Sequence, residues 1–171
     1  SVFVDANDAI TFASSLLTGQ GVSGDHAAAI ATCLVQADLR GVQTHGMSRL
    51  PIYVKRVKRG LVNPTPSMKL TKPTAACASL DGDNGFGFLV GIRAMREAIE
   101  MAETCGVGVV SAHNSNHFGM AASYLLQAVT AGYFAFVFTN AAKSMPPWGG
   151  REGLFGTSPF GAAAPAGKLP P

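Results

Sequence analysis

Charge is scarce in this chain. Asp, Glu, Lys and Arg make up 13% of its 171 residues, against roughly 25% in an average globular domain, so parts of its surface are expected to be covered by more protein. The 13 basic and 10 acidic residues leave a net charge of +3, too small and too dispersed for a nucleic-acid footprint. The one basic cluster, Lys55, Arg56, Lys58 and Arg59, has no aromatic residues interleaved for base stacking and reads as a solvated helix face. Cysteine is also sparse. Cys33, Cys77 and Cys105 are odd in number, far apart and without C-x-x-C spacing, which argues against a disulfide framework and a zinc ribbon and fits a reducing compartment. No apolar run reaches the 18 to 20 or so residues of a membrane span, and no basic segment precedes an apolar one at the N-terminus. A soluble, unexported, cytoplasmic protein with no membrane or nucleic-acid partner is expected.

Apolar residues, by contrast, make up 47% of the chain, enough buried surface to offset the ordering entropy and exclude intrinsic disorder. Their spacing predicts helices over Ala6 to Leu17, Asp25 to Leu39, and about Ser48 to Arg59, the last with Ser48 as N-cap and Pro51 in its first turn. Gly41 and Gly60 close the second and third helices. After the linker Asn63-Pro64-Thr65-Pro66 the pattern changes. Strands are expected at Met68 to Thr71 and Ala75 to Leu80, then a glycine-rich turn from Asp81 to Gly87 and a helix from about Phe88 to Thr104. A buried strand at Val107 to Ala112, a helix at Met120 to Thr130 and a buried strand at Tyr133 to Thr139 complete a β-α-β-α-β alternation. A Gly/Pro-rich stretch and a small apolar run ending at Pro170-Pro171 follow. The fold class is therefore α/β, with a helical N-terminal region (1–65) preceding an α/β region (66–171).

Three segments have the residue types for chemistry. In Thr44-His45-Gly46-Met47-Ser48-Arg49, a histidine that exchanges a proton near neutral pH stands four residues before an arginine that can grip a carboxylate with two parallel hydrogen bonds. The bland alternative is a histidine at a helix start and a surface arginine. His113-Asn114-Ser115-Asn116-His117-Phe118-Gly119 follows a strand and precedes a helix, where α/β folds place ligands. Its two histidines lack the glutamate of an H-E-x-x-H zinc motif, and capping of the next helix would equally explain its polar residues. Third, Thr139-Asn140 and Gly156-Thr157-Ser158-Pro159 offer hydroxyls and amides with little side-chain bulk, fit for cofactor phosphate or amide groups or for ordinary turns. The glycines at 82, 85 and 87 run G-x-x-G-x-G, the wrong spacing for a Rossmann fingerprint, and no acidic residue ends the next strand.

Taken in order, Ala37-Asp38-Leu39-Arg40-Gly41, Thr44-His45-Gly46, Arg49-Leu50-Pro51, Asp81-Gly82, Asn84-Gly85, Asn114 to Gly119, Thr139-Asn140, Pro147-Trp148-Gly149-Gly150 and Gly156-Thr157 with Pro159-Phe160 resemble the type 2 malate/L-lactate dehydrogenases. That family includes ureidoglycolate dehydrogenase, 2,3-diketogulonate reductase and cyclic ketimine reductases. The resemblance covers nearly the whole chain and implies an NAD- or NADP-dependent oxidoreductase of 2-hydroxy acids or cyclic imine carboxylates. It implies a non-Rossmann cofactor-binding domain, incomplete in this chain, with the remainder of the polypeptide required, and a homodimer. It carries a proton-donor role to His45, an acid/base role to His117 and a carboxylate-binding role to Arg49. Ser48, Thr139 and Asn140 become substrate contacts. Asn116, His117, Phe118, Gly119, Asn140, Gly156, Thr157, Ser158 and Pro159 become cofactor contacts, with no metal. Ser158 stands where the family usually has asparagine; a non-catalytic binding or regulatory module on the same scaffold is the alternative reading.

Overall fold

Asp5 opens the first helix by accepting hydrogen bonds from the amides of Asn7 (2.8 Å) and Asp8 (3.3 Å), satisfying donors that a helix start leaves unpaired. In a computed structural model that describes residues 3–169, this helix, α1 (Ala6–Thr18), packs on α2 (Gly24–Leu39). Two consecutive 3-10 turns, Gln43–His45 and Met47–Arg49, lead into α3 (Leu50–Lys58). Next come β1 (Lys69–Thr71), β2 (Cys77–Gly85), α4 (Gly87–Cys105) and β3 (Val109–Ser115), followed by α5 (Ala122–Thr130), β4 (Ala135–Phe138) and β5 (Phe160–Ala163). The sheet order is β1-β2-β3, with β1 antiparallel and β3 parallel to β2, while β4 and β5 form a separate antiparallel pair. The helix-to-α/β progression read from the sequence holds.

One core serves both halves. Leu17, Ile30 and Leu34 from the first helices are fully buried together with Phe86, Phe88 and Leu89 from beyond the linker; each such side chain contributes roughly 1.5–3 kcal/mol. The N-terminal helices thus hold the start of α4, and with it the chain that leads to the His117 loop. A smaller cluster of Met95, Tyr124 and Ala128, joined by Phe118, Ala135 and Val137, lies between α4, α5 and β4.

Several expectations need correction. Ser48 does not cap α3; its hydroxyl donates to the Gln43 carbonyl (2.7 Å), and a 3-10 turn occupies the place given to the helix start. Residues 81–85 are not a turn but the continuation of β2. Asp83 and Asn84 sit at φ 48° and 54° in an irregularity of the β2–β3 pairing, because Asp81 Oδ1 accepts from both the Asp83 amide and the Asn114 side chain at 2.9 Å. Short polar side chains replace glycine in that conformation. The strand expected at Val107 starts two residues later and is exposed along most of its length, since β3 is an edge strand whose outer face no described element covers. The β4 strand alternates: Ala135 and Val137 face the smaller cluster, whereas Phe134, Phe136 and Phe138 face outward. The end of the last apolar run, at residues 170–171, lies outside the described residues.

The outward phenylalanines form a row, Phe134 edge-on to Phe136 and Phe136, Phe138 and Phe160 of β5 stacked in turn, with exposures between 54% and 71%. An aromatic row of this kind seeks cover. These 171 residues produced alone are expected to bind the dye ANS and to sediment as associated species, with dye binding reduced in the Phe136→Ser, Phe138→Ser double variant. A dye-silent, cooperatively folding monomer would contradict the expectation.

Candidate active site

The local fold around His45 depends on a buried approach between backbone and carboxylate. Asp38, near the end of α2, accepts a hydrogen bond from the Met47 amide (2.8 Å), and a Cβ on Gly46 would stand 2.0 Å from the Asp38 carboxylate. Glycine after His45 is therefore required by space, and the Asp38 tie sets where the two 3-10 turns run. Thr44 Oγ1 lies 3.0 Å from His45 Nδ1. Arg49 donates through Nε to the Thr44 carbonyl at 2.6 Å, and among the described residues its two terminal nitrogens have no hydrogen-bond partner and form an open, planar fork.

The His117 loop reaches the same place from the other half. The His45 and His117 rings stack with centroids 5.5 Å apart and planes 22° from parallel. Tyr53, buried on α3, brings its hydroxyl to 2.8 Å from His117 Nδ1, and the Gly119 amide donates to the same nitrogen at 3.3 Å. A backbone N–H cannot reverse its role, so Nδ1 is an acceptor and the neutral His117 ring carries its proton on Nε2, an assignment made from its hydrogen-bond partners. Burial pushes the Tyr53 phenol up to about 12, against which Arg49 and Arg56 act only partly; near neutral pH it is a hydrogen-bond donor. His117 keeps a solvent-exposed edge while Nδ1 is enclosed.

Both histidines titrate below the ordinary imidazole range. For His45 the cause is desolvation, then the Arg49 charge; for His117 it is desolvation, followed by His45, Arg49 and Arg56. Stacked rings flanked by two guanidinium groups hold one proton more readily than two.

The sequence-derived site residues thus fall into two groups. His45, Arg49 and His117 converge, with Ser48 exposed beside them and its hydroxyl engaged by Gln43. Thr139, Asn140 and Gly156 to Pro159 gather instead at the end of the β4–β5 pair, where the Thr139 amide donates to the Pro159 carbonyl (3.1 Å) and Ser158 adopts φ 40°. Among the described residues no hydrogen bond joins the two groups. Phe118 is mainly structural: its ring stacks on Tyr124 at 5.1 Å, and the Tyr124 hydroxyl donates to its carbonyl. Gly119, at φ +72°, has no room for a Cβ against the Phe88 ring. Among the described residues no group of three or more His, Cys, Asp or Glu side chains is placed to hold a metal ion, and all three cysteines are free thiols.

Tyr53 and Arg56 were not picked out for this site from sequence. The signal was present: Arg49, Tyr53 and Arg56 recur at helical i, i+4, i+7 spacing, and a tyrosine on the buried side needs a polar partner. Arg56 leaves the solvated face assigned to its cluster and donates to Asn116 Oδ1 at 2.8 Å; Lys55, Lys58 and Arg59 remain exposed as expected.

The sequence profile of the malate/L-lactate dehydrogenases matches residues 4–171. This chain belongs to that family. It is 38% identical over 169 residues to a malate dehydrogenase of Pyrococcus abyssi, covering 99% of this chain and 47% of the relative. It is 40% identical over 148 residues to an L-sulfolactate dehydrogenase of Methanocaldococcus jannaschii, covering 86% and 43% respectively. The solved malate dehydrogenase of Pyrococcus horikoshii OT3 superposes with a TM-score of 0.92 at 40% identity, over 96% of this chain and 47% of that one. The chain spans about half the length of these relatives, whose names describe oxidoreductases of hydroxy acids. No helix among the described residues is long and apolar enough to cross a membrane.

The lowered histidine values fix the sign of a pH effect. The folded state keeps both rings neutral at pH values where an unfolded chain, with histidine near 6.5, has protonated them. Unfolding then takes up protons, so the contribution is intact above about pH 6.5 and is lost as pH falls through the folded values. Urea unfolding of the family member encoded by this sequence at pH 7.5, 6.5 and 5.5 is expected to show falling stability, with a shallower fall in the His117→Asn variant. A flat profile for both would remove the assignment.

Proposed function

We propose that this protein transfers a hydride reversibly between NAD(P)H and a small 2-keto acid, giving the 2-hydroxy acid, and that the stacked His45–His117 pair exchanges the proton. The observation that carries the reading is the convergence, from opposite halves of the chain, of two proton-exchanging rings with the open fork of Arg49. His45, whose Nδ1 can donate to Thr44 Oγ1, passes a proton from Nε2 of its imidazolium form to the forming alkoxide and takes it back as the neutral ring in the reverse direction, while the His117 Nε2–H hydrogen-bonds the same oxygen and Arg49 holds the adjacent carboxylate in one orientation. The crowded positive charge favours release of the proton once the alkoxide forms and lets the reverse reaction begin from a neutral base. Tyr53 fixes the His117 ring, so that its Nε2–H faces the oxygen.

The residues at the end of β4 fit a nicotinamide cofactor by their chemistry. Asn140, Thr157 and Ser158 are exposed, their side chains carry no hydrogen bond among the described residues, and Gly156 permits a turn so close to Ala141 that a Cβ would lie 2.3 Å from its carbonyl oxygen. Such unengaged hydroxyls and amides suit a carboxamide or phosphate oxygen. Thr139, Asn140 and Gly156 to Pro159 would hold the cofactor, with backbone from Asn116 to Gly119 beside it; when bound, it supplies the hydride. A homodimer belongs to the same reading and is supported by the exposed phenylalanine row.

In the protein as its gene encodes it, following NAD(P)H absorbance against a panel of 2-keto acids and cyclic imine carboxylates, His45→Ala or His117→Ala is expected to lower turnover by about 10² or more. Wild-type rates in both variants would refute the assignment. Arg49→Lys keeps the charge but loses the fork and the tie to Thr44; it should raise KM for the acid about tenfold or more and leave NAD(P)H affinity nearly unchanged. An equal loss of cofactor affinity would move Arg49 to the cofactor site.

A further inference from the structure

The side-chain amide of Asn116, directly before His117, is held at both ends. Its Oδ1 accepts from Arg56 Nη2 at 2.8 Å, and its Nδ2 donates to the Asn84 carbonyl (2.9 Å), Asn84 Oδ1 (3.0 Å) and the Gly85 carbonyl (3.0 Å). The two ends are not interchangeable, because a guanidinium only donates and a carbonyl only accepts. The backbone beneath is equally constrained: a Cβ on Gly87 would stand 2.1 Å from the Asn116 carbonyl oxygen and 2.6 Å from that of His117. The loop therefore lies flat on the start of α4, with Arg56 pressing on one side and the β2 bulge on the other.

We propose that Arg56 is a positioning residue for His117, acting through Asn116; the inference rests on the role of His117 in the reaction proposed above. α3 grips the loop twice, at the His117 ring through Tyr53 and one residue earlier through Arg56. The Tyr53 bond alone leaves the ring free to pivot with its backbone. The Arg56–Asn116 bond removes that freedom by tying the backbone before the ring to the same helix. Loss of Arg56 leaves Asn116 Oδ1 without its donor in a part-buried position, where the amide can turn and release Asn84 and Gly85 as well. A reacting group displaced by about an ångström loses up to about a hundredfold in rate.

Arg56 also faces His117 as a charge, together with Arg49 from the 3-10 turn and His45, while Tyr53 presents a neutral hydroxyl, so the test separates contact from charge. Arg56→Gln, Asn116→Ala, the double variant and Arg56→Lys are compared in the protein as encoded, after thermal unfolding has verified that each folds. Each of the first two is expected to lower kcat about tenfold with KM for NAD(P)H nearly unchanged, the double variant to fall no further than the worse single one, and Arg56→Lys to stay within about threefold of wild type. Multiplying losses, or an Asn116→Ala variant with wild-type kcat, would overturn the proposal. A second arm needs no turnover: the His117 imidazole nitrogen NMR signals should report the Nε2–H tautomer in the wild type and shift or broaden in both Arg56→Gln and Asn116→Ala. If the wild type reduces no keto acid, the proposed reaction fails and this arm decides the clamp by itself. Unchanged His117 signals in both variants would overturn it.

Discussion

The hydrogen bond between Tyr53 and His117 Nδ1, 2.8 Å long, is the point at which the two halves of this chain become one site. Everything around it has to be in register for that bond to form. Tyr53 must lie on the inner face of α3, which requires Pro51 and the two 3-10 turns to start the helix where they do. His117 must leave β3 at the right height, which requires the Asp81–Asn114 bond and a glycine at position 87. The phenol is buried and stays protonated far above neutral pH, and because the Gly119 amide donates to the same nitrogen the phenol is the donor in this bond, which fixes the histidine tautomer as well as the ring's position. A phenylalanine there would keep the packing and lose the orientation.

Electrostatics then sets what the positioned rings can do. His45 and His117 stack under the influence of Arg49, and His117 feels Arg56 too. The same cations that attract a carboxylate substrate disfavour the imidazolium form. Binding an anion between them would reverse part of that penalty, since the added negative charge offsets the guanidinium charge felt by each ring. In the reaction proposed above, substrate arrival and proton loading would be coupled through one small set of charges, without any moving element being required.

How far this was legible in the sequence depends on the range of the signal. Helices α1, α2, α4 and α5 follow apolar periodicity and end within a residue or two of expectation, because burial on one face dictates their spacing. His45, Arg49 and His117 carry residue types whose chemistry is apparent singly, and the order of motifs around them indicates the family. The shared roles implied by the family resemblance already place His45, Arg49 and His117 at one cleft; the ring stack is what no local rule indicates, because seventy or so residues separate the two histidines. Asp81 to Gly87 was misread because glycines signal turns, whereas here Gly82, Gly85 and Gly87 make room for the Asn114 carbonyl, the Pro66 ring and the Asn116 carbonyl. Those neighbours are set by tertiary packing. Arg56 was misassigned for a related reason: a run of basic residues looks solvated as a group, although helical geometry turns one member inward.

Burial is distributed in the way such chemistry demands. The stacked histidines sit on the larger core, where Leu17, Ile30, Leu34, Phe86 and Phe88 are fully or nearly fully buried and rotamers have little freedom. Imidazoles that must meet within ångström tolerances belong on that kind of frame. The turn from Gly156 to Pro159 and the end of β4 lie on the smaller cluster, with exposed backbone and short polar side chains. Regions with few buried apolar neighbours open at lower free energy than a core, which suits the cofactor-binding role proposed for this surface. The outward phenylalanines of β4 and β5 lie on the same small sheet, whose inner face packs on the smaller cluster, so that its outer face can be stiffened only by something packed against it. Precision at the histidines is thus supplied from within these residues, whereas the rigidity of the turn from Gly156 to Pro159 depends on what covers that aromatic row.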